Sequence, residues 1–408
     1  MELTLEQACP QCGASIDLDE TDLLIECPFC NVKSYLFRND YFRYILPHKA
    51  PQKEILYVPY LRFKGSVYFC HDLSIGHRIV DITHIGLDFK KFPVSLGLRP
   101  QAMKLKFVSP DSDGKFLRFS LKAGDILAKA GNISSQQNAG KLLHRAYIGE
   151  RLSIIYLPVY VENDTIIDAI LDRPVLKVSK PCNILKELIN KKAIRPLSFL
   201  STLCPQCGWN LEGERDSIVL TCNNCGSIWE AKDGKFKQVH AFCVSGPTED
   251  AIYLPFWKNL VQIHGVNINL FADFIRLTNQ TRILGKEWDE VGMCFWSPAF
   301  KIRPKIFLNL SRQFTIFQKG FRLKEDLPNK GLYPATLPLG EAQQAMKLIL
   351  ASSAIQKKNI FPYLGSTRFS IKSSSLIYLP FKEMAHEMFQ EEMGISINKN
   401  ALYFGRQL

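Results

Sequence analysis

No apolar run in this chain approaches the roughly 18 residues of a membrane-spanning helix. The longest near-candidates, such as Ser153 to Val161, are strand-sized. Gly-rich phosphate loops, HExxH and GxSxG are missing, and no pair of carboxylates recurs at corresponding places, so the chain reads as non-catalytic. Low-complexity tracts and long charge blocks are also missing, which confines expected disorder to loops and the C-terminus. Met1-Glu2-Leu3 reaches Cys9 too soon for a signal peptide, which predicts reduced cysteines in a cytoplasmic protein, at most peripheral to a membrane assembly. Lysine and arginine do not occur between Met1 and Val32, where seven acids do. Such a segment repels phosphate.

What is present is four CxxC pairs in two identical brackets: Cys9, Cys12, Cys27 and Cys30, then Cys204, Cys207, Cys222 and Cys225. Fourteen residues separate the inner cysteines both times, the spacing of a zinc ribbon. Each pair sits on a tight turn that aims two thiolates at one point, and two turns complete a tetrahedral site. Two zinc ions per chain are therefore predicted. A closed four-cysteine site has no place for substrate, so its work is folding and presentation rather than Lewis-acid catalysis. Iron held by four thiolates is the alternative. Redox CxxC motifs come singly on a thioredoxin-like βαβ pattern, which neither bracket has. Cys70, Cys182, Cys243 and Cys294 read as small buried apolar residues.

The halves continue to match beyond the brackets. Cys9 answers Cys204 at an offset of 195, and Leu56-Tyr57-Val58-Pro59-Tyr60 answers Ile252-Tyr253-Leu254-Pro255-Phe256 at 196. Ile85 to Phe89 is matched to Val291 to Phe295, Leu98-Arg99-Pro100 to Ile302-Arg303-Pro304, and Ala139 to Leu142 to Ala345 to Leu348. Last comes Ile155-Tyr156-Leu157-Pro158 with Ile377-Tyr378-Leu379-Pro380. The predicted class is α+β, mainly β, with internal duplication of a four-cysteine zinc ribbon followed by a mixed β-rich domain. The division is ribbon 1 over 1–45, β-rich domain 1 over 46–182, a connector helix over 183–195, ribbon 2 over 196–240 and β-rich domain 2 over 241–408. Further helices are expected from Ser134 to Tyr147 and from Gly340 to Lys357, and each proline of the repeated segments is expected to end or edge its strand.

Net charge is +12, but it is unevenly placed. The second ribbon carries Glu212, Glu214, Asp216 and Glu230 against Arg215 alone. Lys90 to Lys122 has eight basic residues against two acids, and Lys301 to Lys330 has the same eight and two. Lys90, Lys91, Arg99, Lys104 and Lys106, with Lys301, Arg303, Lys305 and Arg312, are the candidate anionic-partner residues; two solvated faces of duplicated domains are the plainer reading. Cys70-His71, His77 and His84 form a local concentration whose spacing matches no metal site.

The order CPxCG…CPxC followed by YVPY or YLPFW resembles uncharacterised bacterial proteins with TFIIB-like or rubredoxin-like zinc ribbons. The resemblance is specific at the eight bracket cysteines and loose in the β domains, where Tyr253 to Trp257 carries it. It implies an accessory or assembly protein, in some relatives near membrane-associated scaffolds. Two departures are the doubling of the whole unit and Cys30-Asn31 in place of Cys-Gly. The functional expectation is a zinc-binding scaffold mediating protein–protein contact in a multi-subunit assembly. The alternatives are a nucleic-acid-associated factor using the basic faces, contact with an anionic membrane surface, and a rubredoxin-like electron carrier.

Overall fold

The structure, a computed structural model, describes residues 3–50, 52–89, 91–109, 111–121, 124, 141–177, 187–190, 197–246, 251–281, 288 and 290–408. It is mainly β, with 45% strand and 16% helix. The first half runs through β1 (Thr4–Ala8), β2 (Ser15–Asp19), β3 (Leu24–Glu26), β4 (Lys33–Phe37), β5 (Phe42–Ile45), β6 (Leu56–His71) and β7 (Ser74–Ile85). Then come β8 (Lys104–Phe107), β9 (Lys115–Phe116), β10 (Leu142–Glu162), β11 (Thr165–Asp168) and β12 (Arg173–Lys177). The second half opens with β13 (Ser198–Ser201), β14 (Leu211–Glu212), β15 (Val219–Cys222), β16 (Ile228–Lys232), β17 (Lys235–Gln238), β18 (Ala241–Val244) and β19 (Ile252–His264). It continues through α1 (Phe271–Thr278), β20 (Cys294–Pro298), α2 (Pro304–Phe317), β21 (Leu323–Lys324), α3 (Leu339–Ser353), β22 (Arg368–Glu383), β23 (Glu387–Gln390), β24 (Ile395–Asn398) and α4 (Lys399–Gly405).

The repeated tyrosine-proline segments are the paired central strands of two sheets. Tyr57 lies opposite Pro158 and Pro59 opposite Tyr156; Tyr253 lies opposite Pro380 and Pro255 opposite Tyr378. The flanks agree as well. Tyr156 faces Ile45 in parallel β5, as Tyr378 faces Cys243 in parallel β18, and Tyr57 pairs in parallel with Phe116, as Tyr253 does with Leu332.

The prolines do not end these strands. Each sits where its strand changes neighbour: Pro59 between β9 and β7, Pro158 between β5 and β11, Pro255 between Leu332 and β20, and Pro380 between β18 and β23. A residue without an N–H is tolerated there because the ladder is already interrupted.

Other expectations fail on particular residues. Gly86 N–H donates to Pro59 O at 2.8 Å and Ala299 N–H to Pro255 O at 2.9 Å, so Gly86 corresponds to Ala299 rather than Gly292. Leu142 to Tyr147 belong to strand β10, paired with β6, whereas Ala345 to Leu348 lie inside α3; tertiary pairing overrides the helical composition there. The remainder of that expected helix, 134–140, lies outside the described residues. Of the connector helix 183–195 only 187–190 are described, and there Ile189 bridges Leu117 antiparallel while Arg118 N–H donates to Leu188 O at 2.8 Å, so the expected helix does not run through them. Sequence reading also missed α1, α2 and α4. Arg99-Pro100 and Arg303-Pro304 do both start helices, a three-residue 3-10 turn in the first half and the 14-residue α2 in the second. Proline at the first helical position has no N–H to leave unsatisfied.

The halves pack on each other. Tyr68, Cys70, Ala146 and Ile148, at the far ends of β6 and β10, join the core of the second half. Tyr68 Oη donates to Pro304 O at 3.0 Å.

Candidate metal centres

Each cysteine pair is built on the same backbone turn, four times over. The residue after the second cysteine bonds back to the first: Gly13 to Cys9, Asn31 to Cys27, Gly208 to Cys204 and Gly226 to Cys222, at 2.8 to 2.9 Å. All four have positive φ, between 57° and 76°. Asn31 therefore does the work of the missing glycine, because asparagine tolerates the left-handed region better than other side chains do. The first cysteine's own N–H closes each turn on the residue five further on, as in Cys9 to Ala14 O at 2.8 Å and Cys204 to Trp209 O at 2.7 Å.

These turns bring the sulfurs into two quartets in which all four Sγ atoms lie within 4.8 Å of one another. Sγ separations are 3.7 Å for Cys9–Cys30 and Cys12–Cys27, 3.7 Å for Cys204–Cys225 and 3.4 Å for Cys207–Cys222. A tetrahedron with metal–sulfur bonds of about 2.3 Å has edges of about 3.8 Å, so the residues fit one tetrahedral ion per quartet. They do not fit disulfides, whose sulfurs are about 2 Å apart. Burial follows the same order in both: the first and third cysteines are buried, the second exposed and the fourth intermediate.

The thiols of each quartet do not ionise alike. The N–H of Cys12 pulls Cys9 down to about 6. Burial opposes ionisation of Cys204, but the Ser227 hydroxyl and the amides of Cys207 and Gln206 outweigh it and bring it to about 6. At Cys30 the N–H of Val32 favours the thiolate, yet burial and the three other sulfurs push it up to about 12. Burial takes Cys222 to about 12 as well. Four sulfurs this close resist becoming four anions until a cation joins them.

The two ribbons are fused. β13, which leads into ribbon 2, pairs antiparallel with β4 of ribbon 1, from Ser198 opposite Phe37 to Ser201 opposite Ser34. Leu24 and Tyr35 of ribbon 1 pack with Cys204, Leu211, Leu220, Cys222 and Trp229 of ribbon 2. Lys33 bridges Glu212 at 2.6 Å, Arg215 bridges Asp22 at 2.5 Å, and Tyr35 Oη donates to Ser217 O at 3.2 Å.

The ribbon acids and the first basic window meet each other. Lys104 bridges Asp17 at 2.5 Å and Lys106 bridges Glu6 at 3.7 Å, because β8 lies parallel beside β1. Glu20 is buried against Arg62, 2.5 Å away, and Arg62 also holds Asp81 at 2.8 Å. Lys301 is buried, not presented: its Nζ donates to Leu408 O at 3.1 Å, and burial lowers it to about 7. Lys91, Arg99, Arg303, Lys305 and Arg312 are exposed, and Lys90 lies outside the described residues. Sequence reading summed charges along the chain; the neutralising pairs run between distant segments.

Among the described residues, the two quartets are the converging groups of metal-capable side chains; Cys70, His71, His77 and His84 form none. Cys70, Cys243 and Cys294 are buried, while Cys182 lies outside the described residues. Ser227 was not singled out by sequence, although its Oγ lies 2.9 Å from Cys225 Sγ and 3.5 Å from Cys204 Sγ and accepts from Trp229 Nε1 at 2.8 Å. No family model, curated protein or solved structure matches this chain. Among the described residues, no helix is long and apolar enough to cross a membrane.

Proposed function

We propose that this chain is a non-catalytic, zinc-holding scaffold or accessory subunit that presents its fused ribbons to a protein partner in a larger cytoplasmic assembly. The observation that carries the reading is the closure of both quartets. Four thiolates fill every position of a tetrahedral ion, and the ion would fix two hairpins rather than meet a substrate. A four-thiolate donor set suits zinc and iron alike; the structural use of both centres favours zinc. The ribbon likeness to bacterial accessory proteins is part of the same proposal.

Charge placement disfavours nucleic acid. Lys104 and Lys106 are tied to ribbon acids and Lys301 is buried, so three of the nine candidate cations are already engaged or withdrawn from solvent. Purification of the full chain from its native cells at physiological salt tests the proposal. A stoichiometric protein partner is expected. No partner, or binding to DNA or RNA with a salt slope equal to about six released counterions, would overturn it.

A further inference from the structure

Ribbon 1 is open at the place where ribbon 2 closes its sheet. In ribbon 2, Leu211 and Glu212 of β14 pair with Cys222 and Thr221 of β15. The offset of 195 puts Ile16 and Asp17, with Cys27 and Glu26, at the same places in ribbon 1. There β2 is the edge of the ten-stranded sheet and β3 the edge of the three-stranded sheet, and the two do not pair. A cleft of about 570 Å3 separates them, lined by Ile16, Leu18, Leu24, Ile25 and Phe29 and by Arg215, whose carbonyl accepts from Leu24 N–H at 2.9 Å.

The backbone groups facing this cleft follow from register. Glu20 N–H bonds Leu3 O and Cys9 N–H bonds Ala14 O, so Ile16 and Leu18 turn their amides and carbonyls to β1 while those of Ser15 and Asp17 point outward. On the other wall Cys27 N–H bonds Val32 O, which turns the backbone of Glu26 away from β4. The cleft's cations are already spent: Lys33 and Arg215 bridge Glu212 and Asp22. Glu26 is exposed and has no ion pair among the described residues, and Phe29 is 69% exposed. A metal-bound tetrathiolate adds about two negative charges nearby. The opposite edge of ribbon 1 already carries an added strand, β13 on β4.

We propose that this cleft takes an extended, basic peptide segment of a partner protein, added as a strand along β2. The segment pairs with the backbone of Ser15 and Asp17, sets a Lys or Arg against Glu26 and lays an apolar side chain on Phe29. The inference rests on the scaffold reading and gives its docking surface.

The test is fluorescence anisotropy of a short, end-capped peptide of alternating lysine and valine, titrated with the full-length, metal-loaded protein. Binding is expected to weaken at least about tenfold with Glu26→Lys and with Asp17→Pro, which removes an outward N–H without touching the β1 ladder, while Asp17→Asn binds like the parent. N-methylation of alternate peptide amides should weaken it as much. The thiolate charge-transfer spectrum of cobalt(II)-loaded protein reports whether each variant keeps its centres. Should Asp17→Pro lose that spectrum, Glu26→Lys and the N-methylated peptide decide alone.

No binding of the lysine–valine peptide, equal binding of a glutamate–valine peptide, or indifference to N-methylation overturns the proposal, as does tighter binding of a single-stranded RNA at the same cleft. If a native partner still co-purifies with an intact Asp17→Pro protein, the cleft assignment falls and the scaffold reading stands.

Discussion

The two ribbons share ligand spacing, turn geometry and burial order, yet they are embedded differently. Ribbon 1 is spread over its β domain: β1 and β2 belong to the ten-stranded sheet, and Cys9 and Cys27 lie in the same core as Val58, Leu105 and Ile155. Ribbon 2 makes its own four-stranded sheet, β14 to β17, and packs Cys204 and Cys222 against Trp229 and against ribbon 1. A duplicated cysteine motif thus sets the same turns twice, while its neighbours decide what else the hairpins hold. The first pair of buried cysteines belongs to a domain core; the second lies in a cluster shared with ribbon 1, while Val219 and Ile228 of the same sheet join the core of the second half.

The largest effect expected from this difference comes from removing one ligand at each centre. Structural tetrathiolate sites link on the order of 10 kcal/mol of binding to local folding. Cys27→Ser and Cys222→Ser should each lose one ion, but their consequences should spread unequally. Hydrogen exchange in Cys27→Ser should accelerate into β1, β2 and β8, whereas Cys222→Ser should accelerate β14 to β17 and leave β8 protected. Equal spreading would remove the distinction between the two settings.

A smaller contrast lies in one corresponding pair. Arg62 and Lys258 occupy the same place by the 196 offset, but Arg62 neutralises buried Glu20 and also holds the exposed Asp81, while Lys258 lies over the Trp296 ring at 5.3 Å. Arg62→Met strands a buried carboxylate and should cost about 3 to 5 kcal/mol in urea unfolding. Lys258→Met should cost about 1 kcal/mol. Similar losses would mean that ribbon 1 is not anchored through Glu20.

The smallest effect concerns the seam between the halves. Burial raises Glu341, which accepts from Gly149 N–H, from an ordinary 4.5 to about 8. The folded chain keeps a proton that the unfolded chain gives up, so stability falls as pH rises through that interval. Glu341→Gln should flatten the fall between about pH 5 and pH 7, a difference of about 2 kcal/mol at the upper end, measured by urea midpoints. Parallel pH profiles for variant and parent would remove Glu341 from the seam.

The parts of this molecule legible in the sequence are those fixed by short-range chemistry. Eight cysteines at turn spacing announced two quartets, and Tyr57, Tyr156, Tyr253 and Tyr378 marked corresponding strands because each stands two residues before a proline that few strands accept. Leu142 to Tyr147 looked helical because composition does not reveal that β6 waits alongside. The match of Gly86 to Gly292 failed because α1 and a longer α2 surround β20 in the second half, and shared glycines outweighed register. Charge misled for the same reason: the acids of ribbon 1 and the lysines of β8 are some ninety residues apart, and only the parallel pairing of β1 with β8 makes them neighbours.

Metal analysis of this chain, purified without added metal, decides whether both quartets hold zinc. Two zinc ions per chain and no visible absorbance are expected, with one ion left after either Cys27→Ser or Cys222→Ser. A single ion in the parent, near-stoichiometric iron, or a variant that keeps both ions would contradict that expectation.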